Sequence, residues 1–237
     1  MTPAILRYKL WILALLLCAM IPVLMFSEEN ANDRLQSVLE RMQKTSQTFQ
    51  SFIAHITTQK YTAILDLFDL PEKGTFYYQR DKDGSALIRW EITEGGNRIL
   101  TIRKDEAILY QPKIKSAQKY KLGKNRDKAE YLALGIGQSP ANLEKTFDIK
   151  YVGSEKVNGS DCSMIELKPK DPEAAAMFSS IIVWVKDTTG VSTRMKLIEP
   201  YEDYLIVEFS EEKLNEKIDA SIFKQKLPDS VDVLNVN

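Results

Sequence analysis

A chain of 237 residues is long enough for one domain with a real core, and its 32 basic and 33 acidic residues leave a formal charge of −1 with no dominating block of one sign. That balance excludes an electrostatic grip on nucleic acid or on an anionic lipid surface. Only two cysteines, Cys18 and Cys162, and one histidine, His55, are present. A disulfide framework and a Cys/His metal site are therefore not expected.

The first 30 residues read as an address. Arg7 and Lys9 precede the apolar run Leu10 to Phe26, and Glu28, Glu29 and Asp33 follow it. Basic residues before an apolar run of about 17 residues describe either an export signal peptide or a single N-terminal membrane anchor. Met25 and Glu29 stand where small residues would mark a cleavage site, so both outcomes stay open. Cys18 follows Leu15, Leu16 and Leu17 without the small residue that lipid attachment favours, and reads as an ordinary apolar cysteine. The remainder, 31–237, is read as one domain carried outward, to the non-cytoplasmic side of the membrane.

After Asn30 or Asn32, either of which is an expected N-cap, Leu35, Val38, Leu39 and Met42 recur at helical spacing. Arg34, Gln36, Glu40, Arg41 and Lys44 occupy the other face, so the helix is expected to lie on a core. A first strand is expected between Thr48 and Tyr61, where Phe52, Ala54 and Ile56 alternate with Ile53, His55 and Thr57. No nucleophile or metal-ligand pattern accompanies His55, which reads as a strand histidine. The stretch Ala63 to Gly74 mixes apolar and acidic residues and ends in Pro71 and Gly74, predicting a connection with apolar contacts of its own.

From Gly74 to Pro112, four runs rich in β-branched and aromatic residues are separated by Asp-Gly, Gly-Gly and Asp-Glu. That punctuation predicts a four-stranded antiparallel meander. Ala86, Ile88, Trp90 and Ile92 share one face, while Leu87, Arg89, Glu91 and Thr93 share the other. Helices are expected over 127–136, from Ala129, Leu132, Ala133 and Ile136, and from Pro140, with Ser139 as its cap. Gly135-Ile136-Gly137 lacks the strand and third glycine of a nucleotide fingerprint and reads as a terminator.

A second strand set begins at Phe147, turns at Asn158-Gly159 and continues to Pro169. The turn, rather than glycosylation, accounts for Asn158-Gly159-Ser160. A short helical turn capped by Asp171-Pro172 precedes strands over 181–186, 191–198 and 204–210. In the first of these, Trp184 shares a face with Ile182 and Lys186, opposite Ile181, Val183 and Val185. The tail places Ile218, Ile222 and Phe223 ahead of Pro228 and ends in a β-like VDVLNV.

The pattern is α+β with antiparallel connections: eight or more strands in a meandering sheet that curls, with short helices as its cover. The chain shows no GxSxG, Walker loop or zinc spacing, so no catalytic residue, cofactor or metal site is assigned. Carboxylate pairs such as Asp105-Glu106 and Glu211-Glu212 sit in turns and at element ends.

The order of features resembles the LolA-like family of periplasmic outer-membrane lipoprotein carrier and sorting proteins. Four stretches carry the likeness. They are LQSVLERMQKTSQTFQSFIAHITTQ; GTFYYQR with LIRWEI and ILTIRKDEAILYQP; IIVWVKDTTGVSTRMKLIE; and FSEEKLNEKIDASIFKQKLPDSVDV. The resemblance implies a strongly curved antiparallel sheet, a half-open, incomplete β-barrel, covered by short helices around an apolar cavity for acyl chains. It implies a carrier that shields an acylated lipoprotein or lipid between the inner and outer membranes, served by an inner-membrane release complex and an outer-membrane acceptor. The alternative is an inner-membrane-tethered regulatory or structural module of the same fold that contacts a protein partner. A monomer without nucleic-acid partners is expected.

Cavity residues on this reading are Phe76, Tyr78, Ile88, Trp90 and Ile92, joined by Ile99, Leu109 and Trp184. Arg80 matches the family's arginine at the cavity mouth. The chain departs from the family there, since Asp81 replaces the proline that follows and Lys82 to Ser85 lengthen the turn.

Overall fold

The computed structural model describes residues 21–123 and 130–236. The segment Leu10 to Met20, with Cys18 and the basic residues before it, lies outside them, as do Asp127, Lys128 and Ala129 of the helix expected over 127–136. Among the described residues, no helix is long and apolar enough to cross a membrane.

Helix α1, Ile21–Thr48, starts earlier than the asparagine caps predict. Its expected apolar stripe holds: Val38, Leu39 and Met42 are buried in the main core, with Leu35 packed beside them. Then β1 (Ser51–Thr62), β2 (Leu67–Phe68), β3 (Glu72–Arg80), β4 (Ala86–Glu94), β5 (Arg98–Arg103) and β6 (Glu106–Gln111) follow. The four-stranded meander is therefore present as β3 to β6, paired antiparallel in succession. Gly74 sits at a register shift between β3 and β4, where a Cβ would lie 1.8 Å from the Glu91 carbonyl oxygen. Only glycine lets the bulged strand approach this closely.

Strand β7, Ser116–Lys121, is not anticipated by the sequence. The segment expected as a helix up to Ile136 contains one 3₁₀ turn, Glu130–Ala133, followed by Gly135 and Gly137 in the left-handed region. Helix α2, Pro140–Thr146, has the expected cap, with Ser139 Oγ accepting from the Asn142 N–H. Strands β8 (Phe147–Val157) and β9 (Ser160–Pro169) form the Asn158-Gly159 hairpin, with φ of 49° and 79° at the two turn residues. Helix α3, Pro172–Met177, is capped by Asp171, whose carboxylate accepts from the Ala174 N–H. Strands β10 (Ser180–Lys186), β11 (Ser192–Ile198), β12 (Tyr204–Leu214) and β13 (Asp232–Val236) complete the order.

All thirteen strands of the described residues join one sheet, in the order β13-β7-β6-β5-β4-β3-β1-β12-β11-β10-β9-β8, with β2 attached to β1. The two end strands do not pair, so the sheet is a curved, unclosed barrel. Register shifts in β1, β3, β8 and β10 help bend it. Within this sheet the single exception to antiparallel pairing is β13, which lies parallel to β7. The other side of the meander is not simply solvated. Leu87 forms a second core there with Ile218 and Phe223 of the tail, supported by Ile53 and Tyr77.

Candidate functional site: the concave face and its cover

Residues directly opposite each other in an antiparallel pair share a face, so the register identifies the concave wall. Phe76 pairs with Trp90, Tyr78 with Ile88, and Trp90 with Leu100. Phe76, Tyr78, Ile88, Trp90 and Ile92 all belong to the main buried core, the five expected positions together. At its centre Phe76 stands 5.6 Å from both Trp90 and Phe209, and Phe52 stands 5.6 Å from Phe209. Leu109, opposite Leu100, is on this face and half-buried.

Two expected residues are elsewhere. Ile99 pairs with Glu91 and Tyr110 and so faces the convex side. Trp184 is also convex: Ile181, Val183 and Val185 enter the concave core, whereas Trp184 joins Val157 and Cys162 in a separate cluster. Its indole Nε1 donates to Glu155 Oε2 at 2.8 Å, and the Arg194 guanidinium lies 5.4 Å from the ring centroid. A large aromatic is stable outside when its polar atom is satisfied and a cation covers its face. Burial pushes the neighbouring Cys162 thiol up, away from thiolate chemistry.

The concave wall is filled by the protein itself. Val38, Leu39 and Met42 of α1, Phe49, and Tyr131, Leu134 and Ile136 of the 131–137 segment pack into the same core. Phe49 meets Tyr78 at 5.4 Å and Tyr131 meets Phe147 at 5.3 Å. A cleft of about 390 Å³ opens at the seam of this cover, between Leu134, Gln138 and the α2 residues Asn142 and Leu143. Ala133 and Ile136 of this cover were expected as apolar helix positions, whereas Tyr131, Leu134 and the non-helical path were not; the visible sign was the pair of glycines, since a Cβ on Gly137 would sit 2.2 Å from the Phe49 ring.

Arg80, at the end of β3, ties these parts together. Its Nη2 donates to the Gly137 carbonyl at 2.9 Å and its Nη1 to the Ser46 carbonyl in the last turn of α1 at 3.4 Å. The guanidinium lies 5.8 Å from the Phe49 ring centroid. A cation at a helix C-terminus is favoured by the helix dipole as well as by the bond itself. Asp81 does not disturb this geometry: its N–H donates to the Ser85 carbonyl at 2.7 Å, a bond that proline could not make. A second fastening holds α1 to the β10–β11 turn, where Arg41 bonds Asp187 at 2.9 Å and Gly190 lies close under the Arg41 carbonyl.

His55 is exposed on the convex side, 3.6 Å from Glu211. Among the described residues no group of three His, Cys, Asp or Glu side chains could hold a metal ion.

Comparison with known families matches residues 70–226 to the family described as Outer membrane lipoprotein carrier protein LolA. A search of curated proteins found no match. Among solved structures, a conserved protein of Thermus thermophilus superposes with a TM-score of 0.51 at 13% identity, covering 85% of this chain and 99% of its own. A chain of the Pseudomonas aeruginosa MucA/MucB complex gives 0.46 at 12% identity, covering 83% of this chain and 61% of its own. LprF from Mycobacterium bovis gives 0.45 at 11% identity, covering 85% and 98%. The present chain thus spans less than two thirds of the MucA/MucB-complex chain. At these identities the Thermus likeness bears on the fold alone.

Proposed function

The chain belongs to the LolA family of outer membrane lipoprotein carrier proteins, and on that premise we propose that its 31–237 domain is a periplasmic carrier that shelters the acyl chains of a lipoprotein or lipid against the concave face. The observation that carries this reading is a predominantly apolar wall closed by a cover that no strand pairing holds. Magnitudes support exchange between cover and cargo. An acyl chain burying a dozen or so methylenes gains roughly 10 kcal/mol. The cover side chains Val38, Leu39, Met42, Leu134 and Ile136 gain, at about 1.5–3 kcal/mol each, roughly 8–15 kcal/mol. Because the two are of one size, the polar ties made by Arg80 decide which occupant the wall keeps.

On this reading Phe76, Tyr78, Ile88, Trp90, Ile92 and Leu109 touch cargo, and Arg80 is the latch at the mouth. The chain acts as a monomer, receiving cargo at an inner-membrane release complex and giving it to an outer-membrane acceptor, with no covalent step. The N-terminal 30 residues export or anchor it.

Trp11, Trp90 and Trp184 are the three tryptophans; of the two among the described residues, Trp90 is on the proposed wall and Trp184 is off it. With Trp11→Phe and Trp184→Phe combined, a fatty acyl ligand brominated along its chain is expected to quench Trp90 fluorescence. With Trp11→Phe and Trp90→Phe combined, Trp184 is expected to stay bright. Equal quenching of both, or of neither, would sink the proposal.

A further inference from the structure

The connection between β1 and β3 displays apolar side chains where a soluble surface usually hides them. Ile64 is 91% exposed, Leu70 87%, Leu65 67% and Leu67 59%; Tyr201, in the adjoining turn between β11 and β12, is 90% exposed.

This exposure belongs to an ordered loop. The Ala63 N–H donates to Asp203 Oδ1 at 2.8 Å, the Asp69 N–H to the Lys60 carbonyl at 2.9 Å, and Gln59 Nε2 to the Asp69 carbonyl at 3.0 Å. Asp66, left-handed at φ 48°, closes a 3₁₀ turn and accepts from the Tyr61 hydroxyl at 2.6 Å. That hydrogen bond, ahead of burial and neighbouring charge, pushes the Tyr61 hydroxyl up to about 12. Behind the aliphatic tip, Tyr61 stacks on Tyr204 at 4.7 Å, and Phe68 lies 5.0 Å from Tyr61. Lys196 Nζ covers Tyr204 at 3.7 Å.

Aliphatic tip, aromatic collar and charged base form a gradient that matches the depth profile of a membrane interface, where tyrosines sit at headgroup level and aliphatic groups below them. Charge narrows the choice of membrane. Asp66, Asp69 and Glu202 are exposed around the tip, while Lys60 is engaged by Glu199 and Asp203. An anionic leaflet would repel this rim, whereas net-neutral headgroups bearing ammonium donors complement its carboxylates. We propose that the 63–70 loop, with the Tyr201 turn, is a docking tip that enters the outer part of a zwitterionic leaflet presenting ammonium groups.

The tip is independent of the acyl-carrier reading, because the 12 residues of β1 separate it from Arg80 by roughly 40 Å of strand. A nitroxide label at Leu65→Cys in a Cys18→Ser background tests it, since Cys162 is buried and unreactive. The full chain is mixed with excess vesicles of phosphatidylethanolamine and phosphatidylcholine, and the label's accessibility to oxygen and to a water-soluble nickel complex is measured. The oxygen-to-nickel ratio is expected to rise severalfold over that of a label at Lys82→Cys, on the far turn. Adding Ile64→Ser and Leu70→Ser should return it to the aqueous value, and replacing phosphatidylcholine with phosphatidylglycerol should lower it. A label at 65 that stays aqueous with every vesicle, that is indifferent to the serine substitutions, or that goes deeper with phosphatidylglycerol overturns the proposal.

Discussion

Glu72 and Arg98 show how a single ionic contact secures the edge of the meander. Arg98 reaches from β5 past the β4–β5 turn to bond both carboxylate oxygens of Glu72 on β3, and Thr58 Oγ1 donates to the same carboxylate at 3.5 Å. The Arg98 hydrogen bonds hold the Glu72 carboxyl below its ordinary value of 4.5, against the opposing effect of partial burial. Because the folded-state value is depressed, the stabilisation is fully present above about pH 4.5 and is lost as pH falls through the folded value. Glu72→Gln is expected to cost about 0.5–1 kcal/mol near neutral pH, the range of a partly exposed pair. Urea midpoints of the two proteins should converge as pH is lowered below that window; a constant gap would show that the loss is steric rather than ionic.

At the scale of elements, what could be read in advance divides by physical cause. Strands β3 to β6 were legible because apolar residues alternate with period 2 and turn residues separate them. Strand β7, SAQKYK, was not: its buried residue is a lone Ala117, and its place is set by pairing with β6 and β13 rather than by its own pattern. The parallel β13–β7 pairing joins residues more than 100 positions apart, which no local pattern records. On β10 both alternation classes carry large apolar residues, and the one sign of orientation, Lys186 in the class of Ile182 and Trp184 against the wholly apolar Ile181, Val183 and Val185, was outweighed by the size of the tryptophan. Of the candidate wall, the positions on β3 and β4 were legible, since the opposite class there carries Arg89 and Glu91.

The cover segment was legible as apolar at Ala133 and Ile136, but its path was opaque for another reason. A 3₁₀ turn and two left-handed glycines break any helical period, and its shape is dictated by the surface it fills. Gly137 has φ +67° and no room for a methyl group beside Phe49, whereas Gly84 has φ +84° with open space around it. Gly84→Ala should therefore cost only the left-handed penalty, about 1–2 kcal/mol. Gly137→Ala should add an overpacking cost of about 1–3 kcal/mol. Denaturant unfolding of the two variants measures the difference; equal losses would mean that 131–137 does not press on Phe49.

For the molecule as a whole, the two kinds of closure predict two levels of stability. The strands hold one another by continuous backbone ladders from β13 to β8, so opening any central strand breaks many bonds at once. The cover is held by side-chain packing and by separate polar ties at Arg80, Arg41 and the Ser192 N–H, which donates to the Gly135 carbonyl at 3.0 Å. It can therefore open while the sheet persists. Native-state hydrogen exchange should place the amides of α1 around 38–46 and of 133–137 below the global unfolding level and those of β3 and β4 at it. Removing the proposed latch with Arg80→Ala deletes charge-assisted bonds worth about 1.5–3 kcal/mol, and should speed exchange in the cover by roughly ten- to a hundredfold. The strands should keep their protection, because the Arg80 N–H that donates to the Gln50 carbonyl belongs to the backbone and survives the substitution. Uniform acceleration across sheet and cover would instead make Arg80 a general stabiliser, and the wall behind it would be plain core.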